Sequence, residues 1–428
     1  MQRFIRILTV TVVMQLSAAC VWADDFVDTL PAANVSTERL ARIDELLKQY
    51  IDQNLIGGAV ALVLRDGEPV YEKAAGWSDK ESGRRMSTDT LFRIASQTKA
   101  LTSVATLVLI EEGKLLLSDP VAKYIPEFSK TTVAVKDTHG NVEIVPATRQ
   151  ITIKDLLTQS SGMSYGTEPQ VAALYAAKGL GPAAGNGWYT ADKNEPICDT
   201  MARLASLPFV AQPGEAWVYG YNTDVLGCVV ERASGQRLDE VFSTRITGPL
   251  GMRDTYFYVP PSQRNRLATL YASGPDGRIV RAPNGAKGQG DYVDGPRRSF
   301  SGGAGLISTA RDYARFLEML RRDGELDGKR ILSPRSVALM RTDQLGGLYP
   351  KAGAGFGLGF EVIEKYGALG MAAPGNYGWG GAYGSLYRVD PQSHLVIVLM
   401  IQLMPNETDF RDKFQNMVYD AIMDPISF

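Results

Sequence analysis

Two side chains in the segment FRIASQTKALTSVATLVLIEEGKL, Phe92 to Leu115, could do chemistry together. Ser96 and Lys99 stand three residues apart, a spacing that places both on one face of a helix. From Leu101 to Ile110 the segment is almost wholly apolar, as expected of a helix bound for the core. A lysine in its first turn sits at the positive end of the helix dipole and in dry surroundings, and both conditions disfavour an ammonium. A neutral amine beside a hydroxyl is a general base beside a nucleophile. Backbone N–H groups at the same helix start could receive a developing oxyanion. The plainer alternative is a capping serine and a lysine that reaches solvent. S-x-x-K recurs by chance, and taken alone it favours that alternative.

A competing nucleophile lies in GMSYG, Gly162 to Gly166, which fits the G-x-S-x-G elbow and would use Ser164, with Asp390 and His394 following in hydrolase order. An elbow needs a buried strand before the serine and a helix directly after it. The preceding ITIKDLLTQSSG reads instead as a helix ending in a turn, and the βα alternation of a parallel sheet is missing. The two histidines, His139 in DTHGN and His394 beside DPQSH, read as surface residues, so a hydrolytic base has to be another side chain. Two further stretches stand out. PGEAWVYGYNTDVLGCVVE places Tyr219 after a Pro-Gly turn and just before an apolar helix. GNYGWGGAYGSLYRVDP places Trp379, Gly380 and Gly381 at the entry to a strand, where glycines let backbone approach a ligand closely. Singly, Tyr219 reads as a core aromatic and the glycines as a bulge.

Taken in order, S-x-x-K, P-G-x4-Y and W-G-G on a late strand, the chain resembles the serine β-lactamase and penicillin-binding-protein superfamily. Within it the likeness is to the family VIII carboxylesterases, esterases related to class C β-lactamases. It extends from about Ser36 to the C-terminus and includes GKLLLSDPVAKYIPEF, ITIKDLLTQSSG, PLGMRDTYF and GGAGLISTARDYARFLEML. The resemblance implies that Ser96 is the acylated nucleophile, Lys99 the lysine of S-x-x-K and Tyr219 the tyrosine of a Y-x-N motif. Trp379, Gly380 and Gly381 match the W-G-G that stands where β-lactamases carry K-T-G, and the oxyanion hole is implied to be the backbone N–H groups of Ser96 and Ala382. The implied activity is that of a serine carboxylesterase for short-chain esters, with slow β-lactam hydrolysis open to the same acyl-enzyme and no cofactor. The alternatives are a β-lactamase or DD-peptidase, or a penicillin-binding sensor that acylates without turnover.

Three departures bear on specificity. Tyr221, a substrate-binding position in the motif, stands where β-lactamases have asparagine, and the adjacent Asn222 points elsewhere on any regular backbone. Trp379 replaces a lysine, removing a cation that could hold a substrate carboxylate or stabilise a tyrosinate. That loss moves the expected first base toward Lys99 and the expected substrate toward neutral esters. Gln159 replaces a histidine common in the related L-L-T-H-T-S-G run, with no consequence legible in sequence.

The elements that must position these residues follow from periodicity. Ser36 reads as an N-cap ahead of Leu40, Ile43, Leu47 and Tyr50 at helical intervals. GAVALVLR and EPVYEKAAG flank Asp66-Gly67, a hairpin signal. FGLGFEVI, GSLYRV and HLVIVLMIQ read as three strands, and NETDFRDKFQNMVYDAIM as a closing amphipathic helix. The expected fold class is α+β, a β-lactamase-like fold whose antiparallel sheet is built from both termini and flanked by helices. The domains are read as a discontinuous α/β lobe, 24–90 and 345–428, and a mainly helical lobe, 91–344, with a cleft between them for the site. TTVAVKDTHGNVEIVPA reads as a surface hairpin, and Gly235, Gly251 and Gly324 as helix stops.

Composition bounds the rest. The chain has 428 residues, 45% hydrophobic and 21% charged, with a formal charge of −2. No basic block is present, so nucleic acid is not an expected partner, and the expected partner is a small-molecule ester. Residues 1–23 read as a signal peptide: Arg3 and Arg6, an apolar run from Ile7 to Leu16 too short to span a bilayer, and cleavage after Ala23. The mature chain is then periplasmic or secreted, without a transmembrane segment. A lipoprotein signal at Cys20 is less favoured because Ser17 stands where such signals usually carry leucine. Such a compartment permits a bridge between Cys198 and Cys228, but the plainer expectation is two separate buried thiols. A zinc site is not expected from so few Cys and His.

Overall fold

Strands from the two ends of the chain are woven into one sheet in this computed structural model, which describes residues 34–136, 139–181, 192–285 and 288–426. The expected leader, 1–23, and Cys20 lie outside the described residues. β1 (Gly58–Arg65) and β2 (Glu68–Asp79) form the expected hairpin. Asp66 and Gly67 take φ of +56° and +90°, the left-handed pair that a two-residue turn needs to match strand twist. β3 (Arg84–Arg85), β4 (Ala354–Phe356), β5 (Glu361–Ile363), β6 (Tyr377–Gly380), β7 (Leu386–Asp390) and β8 (Leu395–Ile401) complete eight antiparallel strands in the order β4-β5-β6-β7-β8-β1-β2-β3. β1 and β8 pair from Ala59↔Ile401 to Arg65↔Leu395, which closes the sheet across nearly the whole sequence.

Helices cover both faces of that sheet, which is why β8 is apolar without alternation. Leu395, Ile397, Leu399 and Ile401 pack toward α1 (Thr37–Asp52) and α5 (Phe410–Asp420), while Val396, Val398 and Met400 enter the larger core on the other side. Each such fully buried side chain contributes about 1.5–3 kcal/mol. The Ser36 Oγ accepts the Arg39 N–H and caps α1, and Tyr50 lays its ring 5.1 Å from that of Phe410.

Between the sheet's two halves run α2 (Thr98–Glu111), α3 (Asn222–Ser234) and α4 (Ala310–Arg321), with shorter helices and the expected hairpin of Thr132–Lys136 and Val142–Pro146. α2 is buried from Thr98 to Leu109, so all but its last two residues belong to the core. Gly235 ends α3 in a left-handed conformation, φ +71°, as its place in the sequence suggests.

Two expectations need correction. FGLGFEVI is not one strand: Gly359, at φ +97°, reverses the chain so that Phe356 of β4 pairs with Glu361 of β5. Cys198 and Cys228 are not separate thiols. They form a disulfide with Cα atoms 5.0 Å apart, joining the helix Ile197–Leu204 to α3, two segments whose packing no spacing pattern discloses. Among the described residues no helix is long and apolar enough to cross a membrane, and no group of three metal-ligating side chains gathers.

Candidate active site

Ser96 sits in a 3-10 turn, Ala95–Gln97, that runs directly into α2, and Lys99 lies in the first turn of the helix itself. Ala95, fully buried, takes φ +43°. A left-handed alanine costs about 1–2 kcal/mol and persists only where neighbours fix it. Here they do: the Ile94 N–H reaches the Leu306 carbonyl at 3.1 Å, and the Leu306 N–H reaches Thr98 Oγ1 at 3.0 Å.

Lys99 is 3% exposed. Its Nζ lies 3.3 Å from Ser96 Oγ, 3.0 Å from the Tyr165 hydroxyl and 2.8 Å from the Gly303 carbonyl. The Tyr219 ring centroid is 4.7 Å from the same nitrogen. The Gly303 peptide is itself held, because its N–H donates to Asp224 Oδ1 at 3.1 Å and the Ser301 hydroxyl donates to the same oxygen. A Cβ on residue 303 would stand 2.4 Å from that carboxylate, so only glycine lets the loop approach. Burial pushes the Asp224 carboxyl up, opposed by the charge of Lys99 and the two donors.

The W-G-G stretch closes on the same turn. Trp379 and Gly380 belong to β6, and a Cβ on Gly381 would stand 2.6 Å from the Ile94 carbonyl and 2.4 Å from Ser385 Oγ. Ala382 packs with Ala95, Ala304 and Tyr383, which brings its backbone beside the Ser96 turn. Trp379 donates its Nε1–H to the Tyr219 oxygen at 3.2 Å. Around that pair stands an aromatic wall. Trp217 stacks on Tyr219 at 5.7 Å and meets Tyr349 edge-on at 5.1 Å, and Phe356 meets Trp379 edge-on at 5.5 Å. Tyr349 is anchored through its hydroxyl to Glu361, a buried carboxylate paired with Arg388 and Lys351.

The structure thus brings Ser96, Lys99, Tyr219, Trp379, Gly380, Gly381 and Ala382 together. Tyr221 departs from its expected place. It is 2% exposed, its hydroxyl accepts the Gly181 N–H at 2.9 Å, and its ring packs 4.8 Å behind Tyr165, so it braces the site from within instead of lining the cleft. The elbow reading finds no geometry. Ser164 is buried in a loop after the short helix Ile153–Leu157, accepting the Gly166 N–H, and His394 pairs at the surface with Asp66 of the hairpin turn. Sequence reading missed Tyr165, Asp224, Gly303 and Trp217. Asp224 alone carried a signal, a carboxylate one residue before the apolar run of its helix.

Sheet, core helix and a serine beside a buried lysine define a β-lactamase-like enzyme of the serine hydrolase type. The Beta-lactamase family matches residues 43–421, and the chain belongs to that family. Esterase EstB of Burkholderia gladioli is 34% identical over 378 residues, 84% of this chain and 89% of its own length. Lovastatin esterase of Penicillium rubens is 30% identical over 411 residues, 88% of this chain and 98% of its own. Among solved structures, EstCE1, titled a hydrolase with promiscuous acyltransferase activity, matches with a TM-score of 0.72 at 27% identity, covering 90% of this chain and 98% of its own.

Proposed function

We propose that the protein is a secreted carboxylesterase of the family VIII type that hydrolyses short-chain neutral esters through a Ser96 acyl-enzyme. The observation that carries this reading is the placement of Lys99 Nζ among Ser96 Oγ, Tyr165 and Gly303. Two of the Lys99 hydrogens are directed to the Gly303 carbonyl and the Tyr165 oxygen, so the remaining position on Nζ faces Ser96, where a lone pair is needed for Lys99 to act as base. Ser96 Oγ then attacks the ester carbonyl as its proton passes to Lys99, and the oxyanion forms against the N–H groups of Ser96 and Ala382. The C–O bond to the alcohol breaks as that oxygen takes a proton from Tyr219, whose own oxygen already accepts from Trp379, and the Lys99 proton replaces it. Water attacks the acyl carbon, gives up a proton to the same pair, and Ser96 leaves as the hydroxyl.

The aromatic wall supports the substrate class. Trp379 and its neighbours offer apolar contact where a lysine would pair with a carboxylate. The esterase names of two relatives support the same class. Secretion rests on the leader read at residues 1–23 and is supported by the Cys198–Cys228 bridge, since disulfides persist in oxidising compartments.

The test compares kcat/KM for p-nitrophenyl butyrate and nitrocefin, with Ser96→Ala and Ser164→Ala as controls. We expect the ester to win by orders of magnitude, Ser96→Ala to lose at least about a thousand-fold, and Ser164→Ala to keep most activity. Preference for nitrocefin would move the enzyme to the lactamases, and an active Ser96→Ala would remove the assignment.

A further inference from the structure

The loop that ends at Tyr165 and the loop that carries Tyr219 run side by side, and one amide joins them. Gln159 is 1% exposed and takes φ +58°, a conformation uncommon for a glutamine. Its carbonyl accepts the Val218 N–H at 2.7 Å. Its Oε1 accepts the Gly220 N–H at 3.3 Å and Asn222 Nδ2–H at 2.9 Å, and its Nε2 donates to Thr223 Oγ1 at 3.0 Å. The four bonds fall on both sides of Tyr219. Asn222 extends the tie to the other loop: its Nδ2 also donates to the Met163 carbonyl at 3.3 Å, and its Oδ1 accepts from the Ser161 hydroxyl. Gly220 completes the approach, since a Cβ there would stand 2.1 Å from the Met163 carbonyl. The two tyrosines around Lys99 therefore hang from one amide pair.

We propose that Gln159 is the positioning residue for Tyr219. The Gln159–Asn222 clamp fixes the phenol relative to Lys99 and Ser96, and it does so with a group that does not titrate. This rests on the Ser96–Lys99–Tyr219 reading above. The position matters because the related run carries histidine there. Neutral imidazole offers one donor and one acceptor against the two bonds to Oε1 and one from Nε2 seen here, and it becomes a cation near pH 6.5. Glutamine keeps the clamp in one state on both sides of that pH.

The experiment follows the pre-steady-state release of p-nitrophenol from p-nitrophenyl butyrate, with mass spectrometry of the Ser96 peptide, from pH 5 to 9. It uses the full protein, Gln159→Leu and Gln159→His, with thermal melts to confirm folding. In Gln159→Leu we expect acylation to slow by about 10- to 100-fold, the loss that a small misplacement of a reacting group produces, with KM within about three-fold. Gln159→His is expected to recover most of that rate at pH 8 and to lose it again below about pH 6.5, a new limb in the profile that a purely structural role would not create. If Gln159→Leu does not fold, the histidine profile decides alone. A folded Gln159→Leu that acylates at the native rate, or a Gln159→His with the native pH profile, overturns the inference. If the native protein leaves Ser96 unmodified, the catalytic reading itself fails and the clamp falls with it.

Discussion

Gly381 illustrates how residue-scale geometry limits this site. It needs no unusual backbone conformation; what it needs is room, because the Ile94 carbonyl and Ser385 Oγ both lie where a methyl group would stand. The first is backbone of the turn that carries Ser96 and cannot rotate away. Gly381→Ala is therefore expected to leave the protein folded while displacing Ser96 against Ala382, lowering kcat by about a hundred-fold with a smaller change in KM. Steady-state kinetics beside near-ultraviolet circular dichroism checks it, and a native kcat would mean that the turn and β6 move independently. At this scale the sequence was informative. Ser96, Lys99, Tyr219 and the W-G-G stretch, which the structure gathers, stood out by residue type and local spacing. Tyr165 and Gly303 were not, because they reach Lys99 from loops distant in sequence and carry no pattern of their own. Tyr221 was misplaced because a motif position says which residue is near a site and not which way its ring turns.

Among the elements, α3 joins most of the site's parts. Its first turn presents Asn222, Thr223 and Asp224 to the clamp and to the Gly303 loop, and its middle is bridged through Cys228 to the helix Ile197–Leu204. The bridge closes a sequence separation of 30 residues, for which chain-entropy arguments give about 3–4 kcal/mol. Replacing both cysteines by serine should cost stability of that order and lower the urea midpoint, with the Michaelis constant little changed in the protein that remains folded. An unchanged midpoint would show that helix packing alone holds α3. Strong periodicity made the long elements legible, from the capped α1 to the Asp66-Gly67 hairpin. The β4–β5 reversal was not, because the glycines of FGLGFEVI read equally well as strand interior.

Across the whole molecule, burial pushes several carboxyls up, Asp192 among them. Asp192 is partly buried and accepts the Asp291 N–H at 2.8 Å; burial, then the neighbouring Asp291 carboxylate, push it up to about 6. A carboxyl whose folded value lies above its unfolded value near 3.9 favours the folded state in its protonated form. Its contribution is complete below about pH 4 and is lost as the pH rises through 6. The urea midpoint of the native protein relative to Asp192→Asn should accordingly fall between pH 4 and 6 and stay level above 7. A difference that does not vary with pH would mean that Asp192 titrates normally. The β1–β8 pairing has a consequence for synthesis. A ribosome delivers Ser96 early, but β6, β7 and β8 emerge only near the end, and the W-G-G stretch that closes on the Ser96 turn comes with them. On the proposed reading, the nascent chain lacks half of its site until translation is almost finished. A chain terminated early, or trimmed by a protease back past β6, is then expected to carry Ser96 without ester turnover.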